Sequence, residues 1–420
     1  MIKKASILNV YLAILPYAAS LTLIKDGFGN NFPLSVSDYT GYAISIFTIM
    51  LSYVILFSRS FYIDIFIQNI KDNLSYVILL LIISITFTIK IVLGVGSTDF
   101  EVFARILSYL MVGFTTFLLL PIFVYKKEGF NVFVTSIFTI GLATSLIAIL
   151  GIMEISPFSG WIIRDEKMGW IGLNSTSSIF FEPNVFAVLC LISFGIGYYL
   201  LSQTNKYILK AILLISLIII LLGIFFTWSR TAWGLVLGFV IMYYLARFSI
   251  KKLFILLFPI VITAFLIIYF YVISNDDLLL ALVWDDLLTG RLDLWSAGWF
   301  YIQQSPLIGH GVGHSDLNNL LLTFGHDHLT THQVFIDYAL MHGLMPALLY
   351  FFIFIKSIIR AKFKSNMCFY RKNFLVAILV SLFLFIQFSP HNLGGSSLIA
   401  VIMTIFFGLA NLRSGNAGRF

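Results

Sequence analysis

Charge is what this chain has least of. Asp, Glu, Lys and Arg make up 11% of its 420 residues, where a soluble domain carries roughly a quarter. With 60% hydrophobic residues and a mean hydropathy of +0.99, that scarcity excludes a water-soluble globule. Cysteine is nearly missing too. Cys190 lies in an apolar run and Cys368 in a basic loop; neither has a ligand-type neighbour at C-x-x-C spacing, so no disulfide framework or zinc knuckle is implied. The apolar runs lack the in-out alternation of a membrane barrel, which excludes strands for most of the chain. What is there instead is a series of apolar runs of roughly 20 residues, each able to cross a hydrocarbon core of about 30 Å as a helix. The expected fold is an all-α, polytopic membrane protein.

Twelve candidate spans lie near 6–25, 41–58, 75–95, 103–125, 130–153, 184–202, 207–227, 231–248, 253–273, 332–355, 373–389 and 396–412. The start, Met-Ile-Lys-Lys, resembles a signal peptide, but the apolar run continues for about 20 residues and further spans follow, so it reads as an uncleaved first helix. Placing the N-terminus in the cytoplasm and alternating through twelve spans gathers most Lys and Arg on one side, including Lys126, Lys127, Lys356, Arg360, Lys362, Lys364, Arg371 and Lys372. That satisfies the positive-inside rule and sets both termini in the cytoplasm. These basic clusters then read as topology signals and contacts to anionic membrane lipids, and the net charge of +7 does not point to nucleic acid. The whole of 1–420 is expected to be one integral-membrane domain. Two large extracytoplasmic loops interrupt it, 154–183 and 274–331, the second lying before the last three spans and containing an interfacial helix.

Seven cations fall on the outer side, and six of them, Lys90, Arg105, Arg164, Lys167, Arg230 and Arg291, stand out against the charge bias. A cation at a membrane's outer edge is costly without a partner, which makes the arginines the first functional candidates. Arg230 stands in Phe225-Phe-Thr-Trp-Ser-Arg-Thr-Ala-Trp233, in a four-residue outer turn (228–231) between two spans. It is either an interfacial anchor or a fork of donors for an anionic headgroup, which guanidinium grips bidentately. Arg164 opens the first outer loop. Pro183 fits a helix start, with Glu182 or a neighbour as cap and Asn184 following. Arg291 begins a stretch, 291–304, with helical spacing that puts Leu294, Trp295, Gly298 and Trp299 on one face. Ser305-Pro306 ends it, and Gly309-x-Gly311-x-Gly313 follows. No strand precedes these glycines, so they are a tight turn whose amides could approach an anion, not a dinucleotide loop.

All seven histidines fall between positions 310 and 391. His328 and His332 have the i, i+4 spacing of a zinc pair, but Leu329 stands where a zincin carries its glutamate, so no metal is expected. His310, His314, His326 and His342 read as loop or capping residues. His332 differs: it sits where the loop enters a long span, with Asp337 close enough to orient it, and a neutral imidazole there could act as general base.

Four stretches in order, Arg164…Phe-Glu-Pro-Asn-Val-Phe-Ala187, Thr227-Trp-Ser-Arg-Thr-Ala-Trp233, Gly290-Arg-Leu-Asp-Leu-Trp…Gly-Val-Gly313 and His332-Gln-Val-Phe-Ile-Asp-Tyr…Pro346, resemble the bacterial O-antigen ligase and O-antigen polymerase superfamily. Its members commonly carry His-Asn where this chain has His332-Gln333. The resemblance implies a membrane glycosyltransferase at the outer face of the bacterial inner membrane. It would use an undecaprenyl-diphosphate-linked oligosaccharide, with no metal or other cofactor. Arg230, Arg291 and Arg164 would clasp the diphosphate, and His332 would act at the acceptor; Glu182, Asn184, Gly309, Gly311, Gly313 and Asp337 would support them. A polymerase is the favoured reading, with a chain-length regulator as a partner the resemblance allows, and a ligase acting on lipid A–core is the alternative. A lipid-linked oligosaccharide flippase is the competing class, disfavoured because ionisable residues cluster at span ends and not at mid-membrane.

Overall fold

The computed structural model describes residues 7–21, 47, 50–57, 60–93, 110–160, 162, 164–168, 174–176, 178, 180, 183–248, 291–310, 320–322, 331, 333–364, 367–387 and 398–412. In chain order the helices are α1 (Ile7–Leu21), α2 (Met50–Phe57), α3 (Ser60–Asp72), α4 (Leu74–Leu93), α5 (Leu110–Val124), α6 (Lys127–Ile152), α7 (Pro183–Gln203), α8 (Tyr207–Phe226) and α9 (Arg230–Leu245). They continue with α10 (Arg291–Gln304), α11 (Val334–His342), α12 (Leu344–Phe363), α13 (Phe369–Phe385) and α14 (Leu398–Asn411). Helix satisfies every backbone polar group within one segment, which lipid demands. Among the described residues four helices, α6, α7, α8 and α12, are long and apolar enough to cross a membrane, or five spans if the bent α2–α3 pair is one. Shorter apolar helices include α9 and α14. The expected span at 253–273 lies outside the described residues.

The bundle is built around α7, which is buried along most of its length and packs on α6, α8, α9 and α13. Lipid tails are as apolar as leucine, so burial alone does not bring membrane helices together; small residues that admit close backbone approach do. Gly141 of α6 faces Ser193 of α7, and Gly223 of α8 faces Ser145 of α6, each leaving no room for a Cβ. By contrast α8 leaves Ile208, Ile212, Ile215 and Ile218 exposed on its outer side, the surface a lipid-facing helix needs.

Three features depart from the sequence-based expectation. Loop 154–183 holds a short two-stranded antiparallel hairpin, β1 (Arg164–Met168) with β2 (Asn174–Thr176), within an otherwise helical structure. Residues 60–72, expected only as a connection between the spans 41–58 and 75–95, form α3; Tyr62, Ile65 and Asn69 make its buried face while Asp64, Lys71 and Asp72 lower its mean hydropathy. The span expected at 332–355 is two helices, broken at Gly343 (φ +89°).

The basic side chains around the α12–α13 connection also behave differently than expected. Arg371 donates to the carbonyls of Tyr125 (2.7 Å) and Val124 (3.2 Å), and Lys364 to that of Leu409 (2.5 Å). Arg360 reaches Asn411 Oδ1 (3.2 Å) and the Asp72 carbonyl (3.4 Å), and Lys362 the carbonyls of Ala246 and Phe248. Each acceptor lies at the C-terminal end of a helix (α5, α14, α3, α9), where unpaired carbonyls and the negative pole of the dipole favour a cation. Lys364 and Arg371 are only 6% and 7% exposed, so they are helix staples and not lipid contacts. Burial, with Arg371 and Arg360 alongside, lowers the Lys364 pKa to about 7. Four helix C-termini are thereby gathered around the α12–α13 connection at one basic end of the bundle.

Candidate functional site

The opposite end carries the candidate residues. α8 stops at Phe226, and Thr227 folds the turn that follows: its Oγ1 donates to the Ile224 carbonyl (2.7 Å) and accepts from the Ser229 amide (3.2 Å). Trp228 takes φ +53°, a left-handed conformation uncommon for a bulky residue. Ser229 caps α9 by accepting from the Ala232 amide (3.4 Å), and its hydroxyl donates to Asn184 Oδ1 (3.4 Å). One hydrogen bond therefore joins the start of α7 to the start of α9. Arg230 is the first residue of α9 and is exposed. It sits where the helix dipole presents its positive pole, a natural anion-binding position. Trp228 Nε1 next to it is a buried donor without an acceptor.

Helix direction fixes where this turn lies. Arg247, just past the end of α9, stacks over Phe369 at the start of α13 (5.6 Å), and the two helices pack closely. They are antiparallel, so Arg230 stands at the C-terminal end of α13, about 24 Å of helix away from the basic staples. That end of α13 holds the other half of the site. The Ile386 carbonyl accepts from the Val334 amide (3.2 Å), and Gln387 Oε1 accepts from Gln333 Nε2 (2.9 Å). Gln333 caps α11 in turn, its Oε1 accepting from the Ile336 amide (2.6 Å).

Asp337, one turn into α11, is 1% exposed. Its Oδ1 accepts from both the amide (2.8 Å) and the hydroxyl (2.7 Å) of Thr331, while Oδ2 is buried without a partner. The residues on both sides of His332 are thus held, Thr331 by Asp337 and Gln333 by Gln387. His332 itself lies outside the described residues, as do Glu182, Gly311, Gly313 and His328.

α10, expected at 291–304, is present with those bounds. It packs on α11, where Gly298 leaves no room for a Cβ against Ile336 (2.6 Å). Trp295 donates its indole N–H to the Thr331 carbonyl (3.1 Å). Arg291 is one helical turn before Trp295 and so on the same face. Arg164 is placed in β1 opposite Thr176, in a hairpin whose second strand packs against α8, the helix leading to Arg230.

Two expectations change. Gly309 does not offer its amide to an anion: that N–H donates to the Ser305 carbonyl (3.0 Å), and the next one, of His310, to the Leu340 carbonyl (2.6 Å). Gly309 (φ +69°) is a buried docking turn against α11. Lys90, expected at the outer edge as an unmatched cation, is fully buried and donates to the Met341 carbonyl at the end of α11. Of the histidines expected to be loop or capping residues, His310 has its Nε2 2.6 Å from the Tyr301 carbonyl, and His342 ends α11 packed edge-on to Phe87 and Tyr338. Sequence reasoning missed Thr331 and Gln387 as site partners; Gln387, a lone amide at the end of an apolar run, was the available signal.

Residues 215–352 match the family model described as O-antigen ligase. The match runs from the middle of α8 through the Trp228–Arg230 turn, α9, α10 and α11 into α12. That match covers about a third of the chain and supports a likeness to the O-antigen ligase and polymerase superfamily. Members of this superfamily are membrane glycosyltransferase-like enzymes. No curated protein and no solved structure matches the chain.

Proposed function

We propose that this protein is a polymerase of surface polysaccharide in the O-antigen ligase and polymerase superfamily. It transfers a glycan from undecaprenyl diphosphate onto the next lipid-linked repeat unit at the outer face of the bacterial inner membrane. The observation that carries the reading is the convergence at one bundle end of Arg230, at the start of α9, and of the Thr331–Gln333 segment that contains His332, both within the matched residues.

In this reading the basic staple end lies in the cytoplasm and the candidate site faces the periplasm. Cleavage of a glycosyl diphosphate develops negative charge on the leaving phosphate. Arg230 and Arg291, with Arg164 from the hairpin, stabilise that charge as fixed donors, each worth on the order of 3 kcal/mol of barrier. His332 takes the acceptor hydroxyl's proton as that oxygen attacks the anomeric carbon, and the diphosphate departs on its lipid. The residues' own chemistry supplies each step without a cofactor.

The description of the matched family favours a second reading, in which the finished glycan goes to lipid A–core. Gene deletion with gel analysis of surface glycans separates the two. Loss of a polymerase leaves single-repeat glycans on the surface; loss of a ligase leaves none. Wild-type protein restores the ladder in the deletion strain, and Arg230→Ala, Arg291→Ala and His332→Ala variants expressed at the same level do not. An undiminished ladder with His332→Ala would remove the general-base assignment.

A further inference from the structure

We propose that Trp295 is a positioning residue that couples the diphosphate side of the site to the acceptor side, an inference that rests on the function proposed above. The geometry is direct. The carbonyl that accepts from Trp295 Nε1 (3.1 Å) belongs to the peptide bond joining Thr331 to His332. On its other side Thr331 is gripped by Asp337 through both amide and hydroxyl. Thr331 is fully buried, and its backbone N–H, backbone carbonyl and side chain are all engaged. It is a fixed post immediately before the catalytic position.

Trp295 also fixes the helix that carries Arg291. Its neighbours Leu294 and Ala297 form a small core with Leu321, against which Trp295 packs. Gly298 seats the same face of α10 on Ile336 and Thr331. Arg291 precedes Trp295 by four residues, so the indole is the nearest described group on that helix face that is bonded to the His332 peptide. A loosened Trp295–Thr331 bond lets α10 and the start of α11 move independently. Arg291 and His332 must act on the two ends of one breaking and forming glycosidic linkage, and such pairs are sensitive to small misplacements. Binding of the substrate's lipid and remote sugars does not depend on that register.

The substitution that isolates the bond is Trp295→Phe, which keeps a ring in the Leu294–Ala297–Leu321 core and removes the N–H. Initial rates are measured on purified protein in lipid nanodiscs with a polyprenyl-diphosphate-linked oligosaccharide as probe, alongside thermal unfolding. We expect kcat to fall about tenfold, the size of one net hydrogen bond expressed on a barrier, with KM within error of wild type and the protein still fully folded at the assay temperature despite a modestly lower unfolding midpoint. Asp337 holds Thr331 from the other side; Asp337→Ala removes that acceptor, and the double variant is expected to lose less than the product of the two single losses, since both act through one residue. A Trp295→Phe protein with wild-type kcat, or one whose lost activity follows lost folded protein, would overturn the coupling while leaving the proposed function standing. A wild-type protein inert toward the probe would overturn both.

Discussion

Arg230 combines three properties: it starts a helix, it is exposed, and it lies at the bundle end away from the other clustered cations. The staples Arg360, Lys364 and Arg371 show what cations do when their task is structural; they turn inward onto helix carbonyls. Charge alone does not separate the two groups, but geometry does. A diphosphate clasp depends on the planar fork of guanidinium, which an ammonium lacks. Arg230→Lys and Arg291→Lys are therefore expected to lower the transfer rate about 10²-fold, the loss of one preorganised donor. Both should leave the unfolding midpoint of the detergent-purified protein unchanged. Near-wild-type rates in the lysine variants would mean that the two residues provide charge but not bidentate recognition.

α11 and α12 form one apolar run in the sequence and two helices in the fold, and Gly343 is the reason. A Cβ at Gly343 would meet the Leu307 carbonyl, in a backbone conformation that other residues rarely adopt. The Leu344 amide is redirected to the Pro306 carbonyl (2.7 Å), so the turn after α10 docks into the break. Gly343→Ala is expected to destabilise the protein by more than about 1 kcal/mol. Gly234→Ala, on α9 where nothing lies within 4 Å, should be neutral or stabilising by up to about 1 kcal/mol. Thermal unfolding of both variants in one detergent checks the contrast. The same pair explains what the sequence could and could not say. The 291–304 helix and the Thr227–Arg230 turn were legible because local spacing, hydroxyl caps and flanking apolar runs determine them. Helix ends stapled by Arg371 or Lys364, and the break at Gly343, depend on partners tens to hundreds of residues away. Within an apolar run His342-Gly343 looks like any tolerated glycine, and a basic loop looks the same whether its side chains face lipid or carbonyls.

At the scale of the whole molecule the decisive property is polarity between two ends. One end concentrates Arg360, Lys362, Lys364 and Arg371 on helix C-termini; the other holds Asn184, Ser229, Arg230, Thr331, Gln333 and Gln387. Positive charge is retained on the cytoplasmic side of a membrane, so this internal polarity predicts an orientation, and the proposed chemistry requires the same one, because its lipid-linked donor is used at the outer face. The native cysteines provide the test. Cys368 is exposed beside the staples, whereas Cys190 is buried in α7. A membrane-impermeant maleimide should leave Cys368 unlabelled in intact cells with a permeabilised outer membrane, and label it only after the inner membrane is opened. In a Cys368→Ser background, Leu307→Cys, placed at a position 79% exposed in the turn after α10, should react without that opening. The reverse pattern would put Arg230 and the Thr331–Gln333 segment in the cytoplasm, where an outer-face glycan transfer cannot occur, and the function would have to be sought among reactions on the inner leaflet.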